Sequence, residues 1–382
     1  AILAQDGPRE LWARGPRARP AGKMGYLTSE DEAESKLECL AEDEVVYDPE
    51  PLADDLYGVG TTSFIRDIRK IIIGEGQLCL RFARTTVTLT LLWGTILMQV
   101  YLLYQFKRLI ASASVHRIRH LYSEYEQWMY NGETALTVNG FHRGIPGYFD
   151  AGRFDDLPEH IAKIQLCSLP LSQPYFCVAA LMVWTFTVLT DVRKIYFHAD
   201  LLLWRTDTIE SARDMLQVQE DHTTLLTGLT FPIKALLAIL IFLPRLALNL
   251  VMLWLGCRWL IATMDFSDLL MNAMALEFIL LLKDLIYTAV VPRRNQWETA
   301  TLMIPHKWKT VASWSSYMGA FTLVLLVALW VCTYMVYLQQ VLPEYRWDVH
   351  NVCVNFLETT MSELAGDDAA GYTPHSHHVH HR

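Results

Sequence analysis

Residues 85–106 read TTVTLTLLWGTILMQVYLLYQF, 22 positions without Asp, Glu, Lys, Arg or His. A helix rises about 1.5 Å per residue, so this run is about 33 Å long, enough to cross a hydrocarbon core of about 30 Å. Backbone polar groups find no water in such a core and must be satisfied within the segment, which predicts a helix.

Two further runs repeat the pattern. Ile164–Thr190 carries no charge, and its helix is expected from Pro174. Thr310–Pro343 is equally uncharged, with Trp314 and Tyr317 near one end and Tyr334 and Tyr337 near the other. Aromatics at both ends suit two membrane interfaces. Two impure runs lie between these. Leu229–Ile261 contains Lys234, Arg245 and Arg258, and Phe266–Val291 contains Asp268, Glu277, Lys283 and Asp284. The expected fold is an all-α polytopic membrane protein of about five transmembrane helices, 85–106, 174–192, 229–258, 266–291 and 314–341, in a lipid bilayer.

Charge placement sets the expected topology, because cytoplasmic flanks are rich in Lys and Arg. Arg66, Arg69, Lys70, Arg81 and Arg84 precede the first run, Arg193, Lys194, Arg205 and Arg213 follow the second, and Arg293, Arg294, Lys307 and Lys309 precede the last. Five crossings with the N-terminus cytoplasmic and the C-terminus outside put all three groups on one side. Lys107, Arg108, Arg117 and Arg119 then fall outside, against the rule, unless the first helix continues past the membrane.

The parts outside the spans differ in character. Residues 30–55 hold twelve acids and a single base, Lys36, so 24–61 is expected to be a disordered acidic N-terminal segment, a docking site for a cytoplasmic protein. In 62–84, Ile65, Ile68, Ile71 and Ile72 recur opposite Arg66, Asp67 and Lys70, which predicts an amphipathic juxtamembrane helix. Residues 107–163, rich in Tyr, Trp and Phe, are expected to form a small extramembrane subdomain, and 344–382 a C-terminal tail. The opening AILAQ resembles a reading frame of a spliced-leader RNA, which would make 1–23 a translated leader and Met24 the start. Met24-Gly25 then fits the myristoylation pattern, against which Tyr26 counts.

Composition excludes several classes. With 52% hydrophobic and 19% charged residues the chain is poorer in charge than the quarter usual in soluble domains. A net charge of −9 argues against nucleic-acid binding. The seven cysteines show neither a disulfide framework nor metal-ligand spacing. His375, His377, His378, His380 and His381 make a terminal tract that would hold a metal only weakly. The sequence contains no GxxxxGK[ST], GxSxG or HExxH motif and no K⁺-filter motif, so neither an enzyme nor a cofactor is expected.

Intramembrane charge is the remaining lead, because an ionisable group at a helix centre costs about 2.5–3.5 kcal/mol and takes a partner or water. At about 100° per residue, Lys234 and Arg245 share one face with Asn249, and Pro244 is expected to kink that helix. On the next helix Asp268, Asn272 and Lys283 share one side and Glu277, Asp284 and Thr288 the other. One side is expected to pair with Arg245 or Lys234. The first functional expectation is an ion channel or transporter subunit, with Glu277 and Asp284 binding cation or proton and Arg245 as counter-ion. The alternative is a membrane scaffold or signalling component whose charges only fix helix packing. Ala312, Ser316 and Ala320 recur every fourth residue, a spacing that suits close helix packing and a homo-oligomer.

Overall fold

The structure, a computed structural model, describes residues 45–52, 55–74, 77–158, 161, 163–219, 223–309 and 314–371. The expected leader, the acidic segment up to residue 44, Ala312 and the histidine tract lie outside these residues. The chain divides into two units, 1–46 with 309–311 and 47–308 with 312–382, and nearly all described residues belong to the second.

Strand β1 (Val45–Pro51) leads into helix α1 (Leu56–Ile73) and then α2 (Leu78–Gln105). A π-helical turn, Phe106–Ala111, joins α2 to α3 (Ser112–Met129). The hairpin β2 (Thr134–Leu136) and β3 (His142–Gly144) and the short α4 (Lys163–Cys167) follow. Next come α5 (Pro174–Ala199), β4 (Asp207–Thr208), β5 (Leu216–Val218), β6 (Thr224–Leu226) and β7 (Gly228–Leu229). The remaining elements are α6 (Phe231–Leu237), α7 (Leu243–Ile261), α8 (Phe266–Val290), α9 (Arg293–Ala300), β8 (Leu302–Lys309), α10 (Trp314–Thr333) and α11 (Asp348–Gly371).

Four helical stretches are long and apolar enough to cross a membrane: Leu78–Met129, Pro174–Arg205, Phe231–Ile261 and Tyr317–Leu338. The mostly helical fold is as expected, whereas the fifth expected span, α8, is too rich in charge to join the four. It nonetheless packs beside α2 and α7. The first stretch runs 52 residues without a break, which explains why bases follow Phe106. Threonines are tolerated in α2 because their hydroxyls donate to the carbonyl one turn back, as Thr88 does to Arg84 O at 3.1 Å and Thr95 to Leu91 O at 2.8 Å. Helices α5 and α7 approach closely at Gly256, where a Cβ would lie 2.3 Å from the Trp184 indole.

At one end of the bundle, the sheet end, a four-stranded sheet in the order β1–β8–β6–β5 shares a hydrophobic core with α1, against which α9 packs. The strand pair β5–β6 is antiparallel and β6–β8 parallel, with Thr224 opposite Leu302. Helix α1 departs from expectation. It starts at Leu56, inside the stretch expected to be disordered, and Leu56 to Ile65 are buried, so it is a packed core element and not an interfacial one. Asp55 caps it by accepting from Gly58 N at 2.7 Å, and Gly74 ends it with a φ of 76° that a side chain would resist.

The opposite end carries a bridge between Cys167 and Cys353, which corrects the reading of the cysteines as unpaired. Sequence spacing missed it because 186 residues separate the two. Near it, arginines of the segment after α2 hold the chain that follows α10. Arg119 donates to Val341 O at 2.8 Å and Arg143 to Pro343 O at 2.9 Å. Arg143 also pairs with Glu126 at 3.3 Å and lies over the Tyr122 ring at 4.8 Å. Tyr122 and Tyr130 both donate to the Asp348 carboxylate. Glu126 is wholly buried, and that burial pushes its carboxyl up to about 7 against the opposing pull of Arg143.

Candidate functional site

Four helices contribute to a buried ion cluster. Asp191 of α5 lies at its centre, with Oδ1 3.0 Å from Arg245 Nη2 of α7 and in contact with Lys283 Nζ of α8. Asn249, one turn beyond Arg245, donates from Nδ2 to Asp191 Oδ2 at 3.0 Å and to Arg245 O at 2.9 Å. The fourth helix is α1, whose capping residue Asp55 brings Oδ2 to 2.9 Å from Arg245 Nη2. Tyr57 lays its ring beneath the same guanidinium at 4.2 Å. All of these side chains are buried.

The depth of the cluster follows from counting along the helices. Asp191 is 17 residues from Pro174, Arg245 is 16 from Ile261, and Lys283 is 17 from Phe266. Each count corresponds to about 25 Å from the disulfide end of the bundle. Three helices thus bring their charges to one level, and α1 enters at that level from the sheet end.

Two carboxylates face two bases, so the cluster is neutral. It is also filled: the cavity beside Asp55, Tyr57 and Arg245 measures about 10 Å³. That is room for about one water. Arg245 Nε and Asn249 Oδ1 are buried without a partner, a donor and an acceptor that such a water would suit.

The structure therefore brings together Arg245, Asn249 and Lys283 and keeps the other expected site residues apart. Lys234 does not join them. Its ammonium donates to Leu203 O at 3.2 Å, Thr206 O at 2.5 Å and Thr208 Oγ1 at 3.0 Å, closing the end of the α5 stretch. The shared face expected for Lys234 and Arg245 fails because the segment between them, Ala238–Phe242, is π-helical. A π turn holds an extra residue and rotates everything after it, so counting at 100° per residue no longer applies. The same turn accommodates Pro244, which stands in the first turn of α7, where a missing N–H costs least.

On α8, Asn272 donates to Thr263 Oγ1 at 3.0 Å, Asp268 and Glu277 are exposed, and Asp284 is half-buried beside the cluster without joining it. The expected pairing of Glu277 or Asp284 with Arg245 is thus replaced by Asp191 and Asp55. Ala320 is exposed on α10. Ser316 lies within α10.

Sequence reasoning missed Asp191, Asp55 and Tyr57. Asp191 had a signal: it directly follows the uncharged run that ends at Thr190, and a lone acid there requires a base. Asp55 had none, since it is the last of twelve acids in a stretch whose composition pointed to disorder. Neither a known protein family, nor a curated protein, nor a solved structure matches the chain.

Proposed function

We propose that the chain is a five-crossing integral membrane protein whose neutral ion cluster latches α1 to the bundle, and that it serves as a membrane scaffold or signalling component. The observation that carries the latch is the closed charge balance of Asp55, Arg245, Asp191 and Lys283, with no more than one water's space beside it. An ion path needs charge that is exposed to water and free to exchange partners. Here each charge already has its partner.

Connectivity supports the fifth crossing. Helix α7 ends near the disulfide end, where Phe106 and Trp259 rings meet at 3.8 Å, while β8 pairs with β6 in the sheet. The chain must pass from one end to the other between them, and α8, 25 residues or about 37 Å long, makes that passage. Large apolar side chains exposed on α2, α8 and α10, such as Leu97, Met274, Phe278 and Leu325, suit lipid and not water. Disulfides persist in oxidising compartments, which supports placing the Cys167–Cys353 end outside and the sheet end in the cytoplasm. The basic groups near the sheet end agree.

Topology is tested with Val138→Cys and Val218→Cys, both at exposed positions, in a chain whose Cys39, Cys79 and Cys332 are replaced by Ser. An impermeant thiol reagent should label position 138 only from outside and position 218 only after permeabilisation. Labelling of both from one side removes the five-crossing reading. The latch is tested with Thr61→Cys, at a buried position, which should react slowly in the parent and quickly once Arg245→Gln is added. Equal rates would remove the latch.

A channel or transporter built from several copies is the second reading, favoured by Glu277. It lies 11 residues into α8, about 16 Å from the end, exposed at the depth where an acid is least tolerated. If Glu277→Gln abolishes ion flux in reconstituted vesicles without changing folding, this reading replaces the scaffold.

A further inference from the structure

Two cavities join at the sheet end, where α1, α2 and α9 converge. One, of about 450 Å³, is lined by Asp67, Gln77, Arg81, Arg84, Arg294 and Asn295 among others. The second, of about 370 Å³, is walled by Leu56 and Val59 of α1, Val87 and Leu91 of α2, and Val291. Leu80, Arg84, Pro292 and Asn295 line both, so the two are one continuous depression with a basic mouth and an apolar arm.

The order of residues along α2 fixes its polarity. Arg81 and Arg84 are one turn apart, and Val87, Thr88 and Leu91 continue the same face at helical spacing. From Arg84 to Leu91 the arm runs about 10 Å toward the middle of the bundle. The opposite wall runs antiparallel and matches it, since Asp67 of α1 stands by the arginines and Val59 and Leu56 stand by the apolar arm.

Charge at the mouth is unbalanced, unlike that at the latch. Arg84 pairs with Glu298 and lies 3.6 Å from Asp67, Arg81 is 4.0 Å from Asp67, and Arg66 and Arg294 reach Glu298 at 3.6 and 3.1 Å. Among the described residues, four arginines share two carboxylates. Arg81 Nε and Arg84 Nε are buried donors without a hydrogen bond, against a single unbonded acceptor, Asp67 Oδ2, which lies 3.6 Å from Arg84 Nε. Burial, then Arg81 and Arg66, hold the Lys70 ammonium below the usual lysine range, against the pull of Asp67 and Glu298.

We propose that this depression binds an anionic phospholipid of the cytoplasmic leaflet, the phosphate seated among Arg81, Arg84 and Arg294 and one acyl chain lying past Val87 and Leu91. The chemistry fits at each point. Guanidinium groups bind phosphate oxygens through paired N–H donors, and basic pockets at the cytoplasmic side of membrane helices take anionic headgroups. The length of apolar wall above the mouth distinguishes a lipid from a soluble phosphate. The site rests on the membrane reading given above.

The test uses the full chain in detergent, titrated with phosphatidylserine, with a phosphatidylinositol phosphate and with phosphatidylcholine, and with inorganic phosphate as competitor. The anionic lipids should bind and phosphatidylcholine should not. Arg81→Gln with Arg294→Gln should weaken binding about thirtyfold. Val87→Trp, placed at an exposed position that blocks the arm, should weaken lipid binding while leaving competition by inorganic phosphate unchanged. Equal affinity for all three lipids, or unchanged affinity in the double arginine variant, overturns the site. Unchanged lipid affinity in Val87→Trp overturns the acyl arm and leaves a soluble phosphate as the ligand. Thiol labelling at positions 138 and 218 in intact membranes, before extraction into detergent, tells failure of the lipid site from failure of the membrane reading.

Discussion

Asp55 caps helix α1 with one carboxylate oxygen and holds Arg245 with the other, at 2.7 and 2.9 Å. One side chain therefore both starts a helix and fastens it to the bundle. The local rule that a helix begins at Asp and the long-range rule that a buried base needs an acid are satisfied by the same group.

Removing Arg245 leaves two carboxylates facing Lys283. Arg245→Gln should lower stability by about 3–5 kcal/mol, the usual cost of an orphaned buried charge. Adding Asp55→Asn restores neutrality and should recover part of that loss. Thermal unfolding in detergent checks both, and a double variant no better than the single one would show that Asp55 does not share the charge.

Lys234 makes a separate prediction because it belongs to no cluster. Lys234→Met removes three hydrogen bonds to the end of the α5 stretch and should cost about 1.5–3 kcal/mol for the charged donor. Hydrogen exchange should quicken around Thr206 while reactivity at position 61 stays that of the parent.

Glu126 sets a pH dependence. Its carboxyl, raised above the ordinary value near 4.5 to about 7, binds a proton in the folded protein at pH values where the unfolded chain has released it. The stability it contributes is full below about 4.5 and is lost as pH rises through about 7. Arg143 and Asp348 are the charged groups around it, with Tyr122, Tyr125 and Tyr130. The melting temperature, followed by Trp128 and Trp347 fluorescence, should fall between pH 5 and pH 8 by an amount that Glu126→Gln reduces. An identical slope in the variant would assign the effect elsewhere.

Cys353→Ser should free the segment after α10 without dissolving the bundle, since Arg119, Arg143 and both tyrosines still hold it. A loss of about 2–5 kcal/mol is expected at the disulfide end. Limited proteolysis should cut near Arg346 in the variant first, and non-reducing gels should show its slower migration.

The helices were legible because apolar length is a local property. The 22 uncharged residues of TTVTLTLLWGTILMQVYLLYQF announce a long apolar helix by themselves. Partnership was less legible. Arg245 and Lys283 demanded acids, and the helix carrying Glu277 and Asp284 was the nearest source in sequence. Asp191, more than 50 residues before Arg245, became the partner because α5 and α7 pack side by side, and no periodicity encodes that neighbourhood. A π turn after Lys234 then spoiled the angular count. Helix α1 was obscured by its surroundings: the acids before it, averaged over a window, hid a core helix that begins at their last member.

The bridge between Cys167 and Cys353 has a consequence for biogenesis. Cys167 precedes the second of the five proposed crossings and Cys353 follows the fifth, so the covalent ring encloses four crossings. A chain stalled before Cys353 emerges cannot close this ring. On the five-crossing reading, this pair therefore closes only after the last crossing has been made.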